Sequence, residues 1–368
     1  MLPAEIQRIV LLIGLAATGY LLILAWNEDA QEARTTDYYS AEPEIAGIES
    51  ARNAIPTERS QPTDAVNDDI PAMPLPSNNV QPQSTTTEPY SADRLITVTT
   101  SSIKMWIDLE GGDVVRVLLP KFPVQIDDPD IPFVLLDQGQ QRIYVAQSGL
   151  IGADGTDSNG ERPLFSSERT SYVLDQDELE VVLRADVAGN PVEKIFRFRA
   201  DDYLVDVEYR VVNNKTSPFE AGMFAQIKRD RLPPTLQESF FLAPQPFYGG
   251  ATTTLENRYE KLEFDDIDEQ SVGFTQQGGW IAFLQHYFLS AWVPPVNEQN
   301  RFEASRSRDG NYLYRTIGQA KQIAPGDQGV WQAGFYAGPK DQIRLEQIAP
   351  YLNTVSYTHL TLPTIREV

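Results

Sequence analysis

The 368-residue chain has no cysteine and only two histidines. The first absence excludes disulfide scaffolds, thiolate metal sites, cysteine nucleophiles and a lipid-modified cysteine anchor. The second speaks against a histidine-rich metal centre. Cations are also scarce: 30 Lys and Arg stand against 52 Asp and Glu, a net charge of −22. A nucleic-acid binder needs clustered cations to replace counterions along phosphates, so no nucleic-acid partner is expected. No G-x-S-x-G elbow, no H-E-x-x-H, no phosphate loop and no G-x-G-x-x-G occurs. What the chain does have is 41% hydrophobic and 10% aromatic residues, enough for a real core. Cores rarely grow past ~250–300 residues, so one large domain with additions, or two domains, is the prior.

One run lacks charge altogether. Residues Ile9 to Trp26 read IVLLIGLAATGYLLILAW. A helix of that length covers ~27 Å at ~1.5 Å per residue, close to a hydrocarbon core of ~30 Å. A transmembrane signal-anchor helix is therefore predicted over 9–26, with Trp26 as its membrane-interface anchor in the headgroup layer. Arg8 precedes the run, and Asn27, Glu28 and Asp29 follow it. The positive-inside rule then puts residues 1–8 in the cytoplasm and everything after Trp26 outside. A cleaved signal peptide would want a shorter run and a small-x-small site, for which Ala30-Gln31-Glu32-Ala33 is poor.

From Asn27 to Asp93 the composition changes. Eight prolines (Pro43, Pro56, Pro62, Pro71, Pro74, Pro76, Pro82 and Pro89) are spaced by Ser, Thr, Asn, Gln and acids, with few large apolar residues. Thirteen acids against three arginines give this stretch 3 − 13 = −10. Such a segment cannot bury enough surface to offset its ordering entropy, so a disordered acidic linker is predicted over 27–93. It reads either as a spacer holding a domain off an anionic membrane or as plain solubilising chain.

From Arg94 the pattern is β. Strands are predicted over Leu95–Thr99 and Ile103–Leu109, closed by Gly111-Gly112. Leu179–Val187, Val192–Arg199 and Tyr203–Val212, separated by Ala188-Gly189-Asn190-Pro191 and Ala200-Asp201-Asp202, predict a three-strand antiparallel meander. Further strands are predicted over Gly279–Leu284, Phe288–Val293, Arg301–Ser305, Tyr312–Ile317 and Gly329–Tyr336. No repeated βαβ pattern occurs, so a large antiparallel sandwich is expected rather than a parallel sheet. One late helix is predicted over Asp341–Leu352. Leu345, Ile348, Ala349 and Leu352 form its apolar stripe at i, i+3, i+4 and i+7, and Pro350 should end it near Ala349. The stripe suits packing on the chain's own sandwich or an offer to a partner.

Candidate chemistry is sparse. His286 sits alone among large apolar residues in GGWIAFLQHYFLSAWVP, which suits a structural histidine better than a catalytic one. Asp265, Asp266, Asp268 and Glu269 could supply a carboxylate pair but read as a solvated loop face. Asp154 to Gly160, DGTDSNG, has oxygen ligands without the full spacing of a calcium loop, and reads as a turn. Lys228, Arg229 and Arg231 make a small basic knot that could face phospholipid.

Five segments carry a likeness. They are LEGGDVVRVLLPKFP (109–123), YVAQSGLIGADG (144–155), RYEKLEFDDI (258–267), GGWIAFLQHYFLSAWVP (278–294) and GPKDQIRLEQIAPYLN (338–353). Behind an apolar run ending in Ala25-Trp26-Asn27 and an acidic tether, they resemble the front half of the YidC family of bacterial membrane protein insertases, in its Gram-negative form. The resemblance implies a mainly β, antiparallel β-supersandwich (mutarotase-like) in the periplasm, behind one N-terminal transmembrane helix in the inner membrane. It implies a non-catalytic protein without cofactors that helps nascent inner-membrane proteins insert and fold. Its implied partners are those clients, the SecYEG translocon, SecDF and the phospholipid membrane. By position, the stripe Leu345, Ile348, Ala349 and Leu352 matches a helix that links the sandwich (94–338) to a membrane core. The family's later transmembrane helices, with an arginine in a hydrophilic groove, have no counterpart here, so no insertase residue is carried over and the chain reads as a fragment. Residues 354–364 look like an in-frame translation of a transposon-end sequencing adaptor, so 354–368 is expected to be a non-native tail. The alternative reading is a signal-anchored periplasmic carbohydrate-binding or mutarotase-like protein. That chemistry wants an acid–base pair at a sugar ring, which a single histidine serves poorly.

Overall fold

Continuous apolar runs such as IAFL and FLSAWV form strands buried on both faces, whereas alternating runs such as ELEVVLRADV leave one face wet. That contrast organises the molecule. The structure, a computed structural model, describes residues 70–71, 94–125, 128–139, 142–157, 161–232 and 247–357. The expected membrane helix Ile9–Trp26, with Trp26, and all of the expected tether except Ile70 and Pro71 lie outside the described residues. Among the described residues no helix is long and apolar enough to cross a membrane.

The first strands are β1 (Leu95–Thr99), β2 (Lys104–Asp108), β3 (Asp113–Gln125), β4 (Asp128–Gln138) and β5 (Ile143–Ile151). Two short strands follow, β6 (Ser166–Ser167) and β7 (Ser171–Val173). Next come β8 (Glu178–Val187), β9 (Asn190–Arg199), β10 (Leu204–Val212) and β11 (Phe219–Arg229). Then β12 (Gly249–Thr252) and β13 (Glu260–Leu262) lead into helix α1 (Phe264–Glu269). After it run β14 (Val272–Gln277), β15 (Ile281–Leu284), β16 (Phe288–Val293) and β17 (Gln299–Arg306). The last strands are β18 (Tyr312–Gly318), β19 (Lys321–Ile323) and β20 (Gln328–Pro339). Helix α2 (Gln342–Ile348) and a 3₁₀ segment, Leu352–Tyr357, close the described chain.

These strands make two sheets. Sheet 1 runs β14-β17-β18-β11-β5-β4-β3-β2-β1-β7, with β19 also on β11. Sheet 2 runs β13-β12-β15-β16-β20-β10-β9-β8-β6. Neighbours are antiparallel except β1 and β7. The predicted meander is present as β8, β9 and β10, with Ala188 and Gly189 both at positive φ in the first turn.

Apolar faces of both sheets meet in one large cluster that includes Ile107, Val117, Phe196, Tyr209, Phe283, Trp292 and Phe335. Polar ties cross it. Trp292 Nε1 donates to the Gln226 carbonyl and Trp331 Nε1 to the Ala221 carbonyl, both on β11.

Several strands escaped the sequence pattern. β3 and β4 carry Pro120, Pro123, Pro129 and Pro132, which remove ladder donors. Their pairing slips register between Leu119 and Pro123 and again before Gln125, so the prolines are tolerated at irregular rungs. β11 is buried along nearly its whole length and shows no alternation.

Candidate functional site

The residues singled out for chemistry are not brought together. His286 is exposed on the β15–β16 turn, its ring stacked 3.9 Å from that of Tyr287. The acidic cluster forms α1 rather than a loop, because Phe264 and Ile267 at i and i+3 turn inward. Asp268 there accepts from the Tyr312 hydroxyl (2.9 Å), Arg231 (3.0 Å) and Arg306 (3.0 Å). Among the described residues no group of three or more His, Asp or Glu could hold a metal ion.

Of the basic knot, only Arg231 lies on an exposed bend, where it pairs with Asp265 and Asp268. Lys228 and Arg229 lie on β11 and are buried. Lys228 pairs with Asp309 at 3.0 Å. Burial would raise the Asp309 carboxyl, but the Ser307 hydroxyl and the Lys228 ammonium outweigh it and hold it at about 2. Arg229 follows Ala221, Met223, Ala225 and Ile227 at inward parity, and its guanidinium lies among the rings of Tyr144 (4.3 Å), Phe283 (4.3 Å) and Tyr248 (4.6 Å). Burial lowers its pKa and pushes the Tyr248 hydroxyl up to about 12.

A second buried polar centre went unread in the sequence. DGTDSNG opens as a turn, and its Asp157 accepts from the Leu150 amide (3.0 Å), Thr156 (2.6 Å) and Arg162 Nη1 (2.5 Å). Arg162 also pairs with Asp113. From the opposite sheet, Lys194 Nζ donates to the Gly111 and Ser148 carbonyls at 3.0 and 3.2 Å, and the Tyr209 hydroxyl donates to Ser148 at 2.7 Å. Burial lowers the Lys194 ammonium to about 7 and raises the Asp157 carboxyl against the pull of Arg162. The available signal was parity: Val192, Lys194, Phe196 and Phe198 share one face of β9. Closed on itself, this centre ties the sheets together.

The C-terminal segment makes the most distinctive surface. β15, β16 and β20 present Ala282, Leu284, Leu289, Ala291 and Tyr336 on the outer side of sheet 2, and this second apolar face needs a cover. The predicted stripe supplies it. Leu345 and Leu352 are fully buried there, Ala349 is buried and Ile348 packs half-buried, joined by Val355. Asp341 caps α2 by accepting from the Ile343 and Arg344 amides at 3.0 and 3.1 Å. The helix ends at Ile348, as Pro350 requires. Arg344 grips Asp202 at the β9–β10 corner with Nε at 3.0 Å and Nη2 at 2.5 Å. Trp280 Nε1 donates to the Pro350 carbonyl at 3.1 Å, and Ser356 Oγ to the Lys340 carbonyl at 3.0 Å. The opposite side of the segment is open: Ile343 is 74% exposed, and Tyr351, 44% exposed, carries the Arg258 guanidinium 5.0 Å from its ring centroid.

Residues 95–362 match the model of the YidC periplasmic domain. The membrane protein insertase YidC of Alcanivorax borkumensis is 38% identical over 365 residues, taking in 96% of this chain and 62% of that protein. That of Azotobacter vinelandii is 37% identical over 360 residues, with 97% and 62% covered. The chain thus spans about 62% of the length of these curated relatives. Among solved structures, a galactose mutarotase-like protein from Lactobacillus casei aligns with TM-score 0.45 and 9% identity, over 66% of this chain and all but a sliver (99% covered) of that one. A galactose mutarotase related enzyme from Lactobacillus acidophilus aligns with TM-score 0.42 and 11% identity, over 66% and 97%. With its family model matched over most of its described length, the chain belongs to the YidC periplasmic domain family.

Proposed function

We propose that this chain is the anchor, tether and periplasmic sandwich of a membrane protein insertase of the inner membrane. It acts by binding and positioning, without catalysis, while inner-membrane proteins insert and fold, alone or beside the Sec translocon. The observation that carries this reading is the family match joined to the C-terminal segment. Leu345, Ala349 and Leu352 rivet α2 and the 3₁₀ turn to the sandwich, and Ile348 packs beside them. The open side, with Ile343 and Tyr351, remains for a partner. A helix held this way moves with the sandwich as one body, which suits a link between a periplasmic domain and a membrane core. In this reading Trp26 ends the anchor at the membrane interface, the N-terminus is cytoplasmic, and nascent clients, SecYEG and SecDF are the partners. The sugar-enzyme alternative is the weaker one, since His286 lies on an exposed turn rather than in a cleft.

The test is site-specific photo-cross-linking from Ile343 and Tyr351 in inner-membrane vesicles carrying ribosome-stalled inner-membrane clients. Cross-links to clients, to Sec subunits or to an insertase membrane core are expected. Cross-links to none of these, with measurable binding of free sugars instead, would turn the assignment to the alternative.

A further inference from the structure

The expected tether has few large apolar residues, and one of them, Ile70, is followed directly by Pro71. Ile70 packs on a small apolar cluster, Ile151, Phe224 and Ile317, and Pro71 is buried beside it. That cluster lies on the outer face of sheet 1, since the alternate residues Leu150 and Ala225 belong to the core between the sheets. Its shape follows from register. Phe224 of β11 sits opposite Gly149 of β5 on one side and Ile317 of β18 on the other, while Gly222 sits opposite Ile151. A Cβ at Gly149 would meet the Phe224 ring at 2.6 Å and the Asp157 carboxylate at 2.3 Å, so only glycine fits. The Phe224 ring and the Asp157 carboxylate fill the space above Gly149, and Ile70 packs on the apolar patch that Ile151, Phe224 and Ile317 form. The Arg162 guanidinium lies over the Phe224 ring, 5.6 Å from its centroid.

Local chemistry favours Ile-Pro as the occupant. Proline fixes its own φ and biases the residue before it to extended backbone, so little freedom is lost when Ile70 inserts. Asp68 and Asp69 precede the pair and keep its flank soluble. Pro71 and Arg94 are 94 − 71 = 23 positions apart, and a covalent connection of such length sets an effective concentration on the order of millimolar. A motif with only a weak intrinsic affinity is therefore held in place.

We propose that Ile70–Pro71 is a docking motif and that the Ile151, Phe224 and Ile317 patch on sheet 1 is a peptide-binding surface for an extended, branched-apolar–proline sequence, covered in cis by the chain's own tether. The sandwich is then held through residue 70 rather than through Arg94, and the patch is covered against other segments of like sequence while Ile70 packs on it.

The absence of cysteine makes the test clean. In the full chain in detergent, the pair Ile70→Cys and Ile317→Cys should form a cross-link with a short thiol reagent, and Ile70→Cys with the exposed Val173→Cys should not. In a second measurement, a fluorescent peptide of residues 66–74 is titrated by anisotropy. The double variant Ile70→Asp, Pro71→Ser should bind it at least tenfold more tightly than the unaltered chain, whose patch is covered. Its altered positions lie outside both sheets, so its folding is preserved. Cross-linking equal for both pairs or absent from both, or peptide binding equal in the two chains or absent from both, would overturn the proposal.

Discussion

The two ends of sheet 2 answer the same problem differently. At the β8–β9–β10 end the outer side chains are charged and form a ladder: Arg197 bridges Glu180 and Glu208, both at 2.9 Å, Arg210 meets Glu208 at 2.5 Å, and Arg184 meets Glu193 at 3.1 Å. That face is partly open to water, with Glu180 and Arg184 exposed and Glu208 buried beneath Arg197 and Arg210. At the β12–β15–β16–β20 end the outer side chains are apolar, and the C-terminal segment roofs them. One sheet is thus alternating where it is wet and continuously apolar where it is covered. A run without alternation announces a second layer, and here that layer is α2 with the Leu352–Tyr357 turn.

The sharpest way to break this comparison is to remove the roof. Leu345→Ala or Leu352→Ala deletes a fully buried side chain and should cost about 2–5 kcal/mol, measured by denaturant unfolding. Truncation at the wet end should cost far less, and equal losses at both ends would erase the distinction.

The inner side of the wet end holds Lys194, and its effect depends on pH. Burial lowers its folded pKa to about 7 from 10.5. Between those values the unfolded chain binds more protons, so stability rises with pH across about 7 to 10.5 and this contribution is flat below 7. Its slope should reach on the order of 1 kcal/mol per pH unit. Lys194→Met should remove that slope, read from unfolding midpoints at a series of pH values.

Asp202→Asn loosens the corner where Arg344 clamps the roof. Two backbone amides, those of Tyr203 and Leu204, also donate to Asp202, and asparagine can keep these while losing the charge. The loss should be about 1–2 kcal/mol by thermal unfolding, smaller than for the leucines. Smallest is Arg197→Ala on the wet ladder, at about 0–1 kcal/mol and reduced further in high salt.

These contrasts track what the sequence made legible. Alternation revealed the meander, and a two-sided apolar run revealed β15 and β16, because side-chain parity is written directly in residue type. The stripe Leu345, Ile348, Ala349 and Leu352 was equally plain, as was its stop at Pro350. The prolines hid β3 and β4, whose slipped rungs depend on pairing with a distant strand. Arg162 stayed hidden as well, because its partners Asp113 and Asp157 come together only when β3 and β5 pair within sheet 1. For Lys194 and Arg229 the one available signal was parity, an apolar face interrupted by one cation, and it went unread.

The central claim is that the C-terminal segment is part of the folded sandwich and not a loose exit. Seven helical residues alone are too few to hold a helix in water, so any protection must come from packing. Hydrogen exchange of the Leu345 and Ala349 amides, which donate to the Asp341 and Leu345 carbonyls, reads this directly. Protection matching that of the β16 and β20 amides is predicted. Exchange as fast as in an unstructured peptide, with β16 still protected, would contradict it.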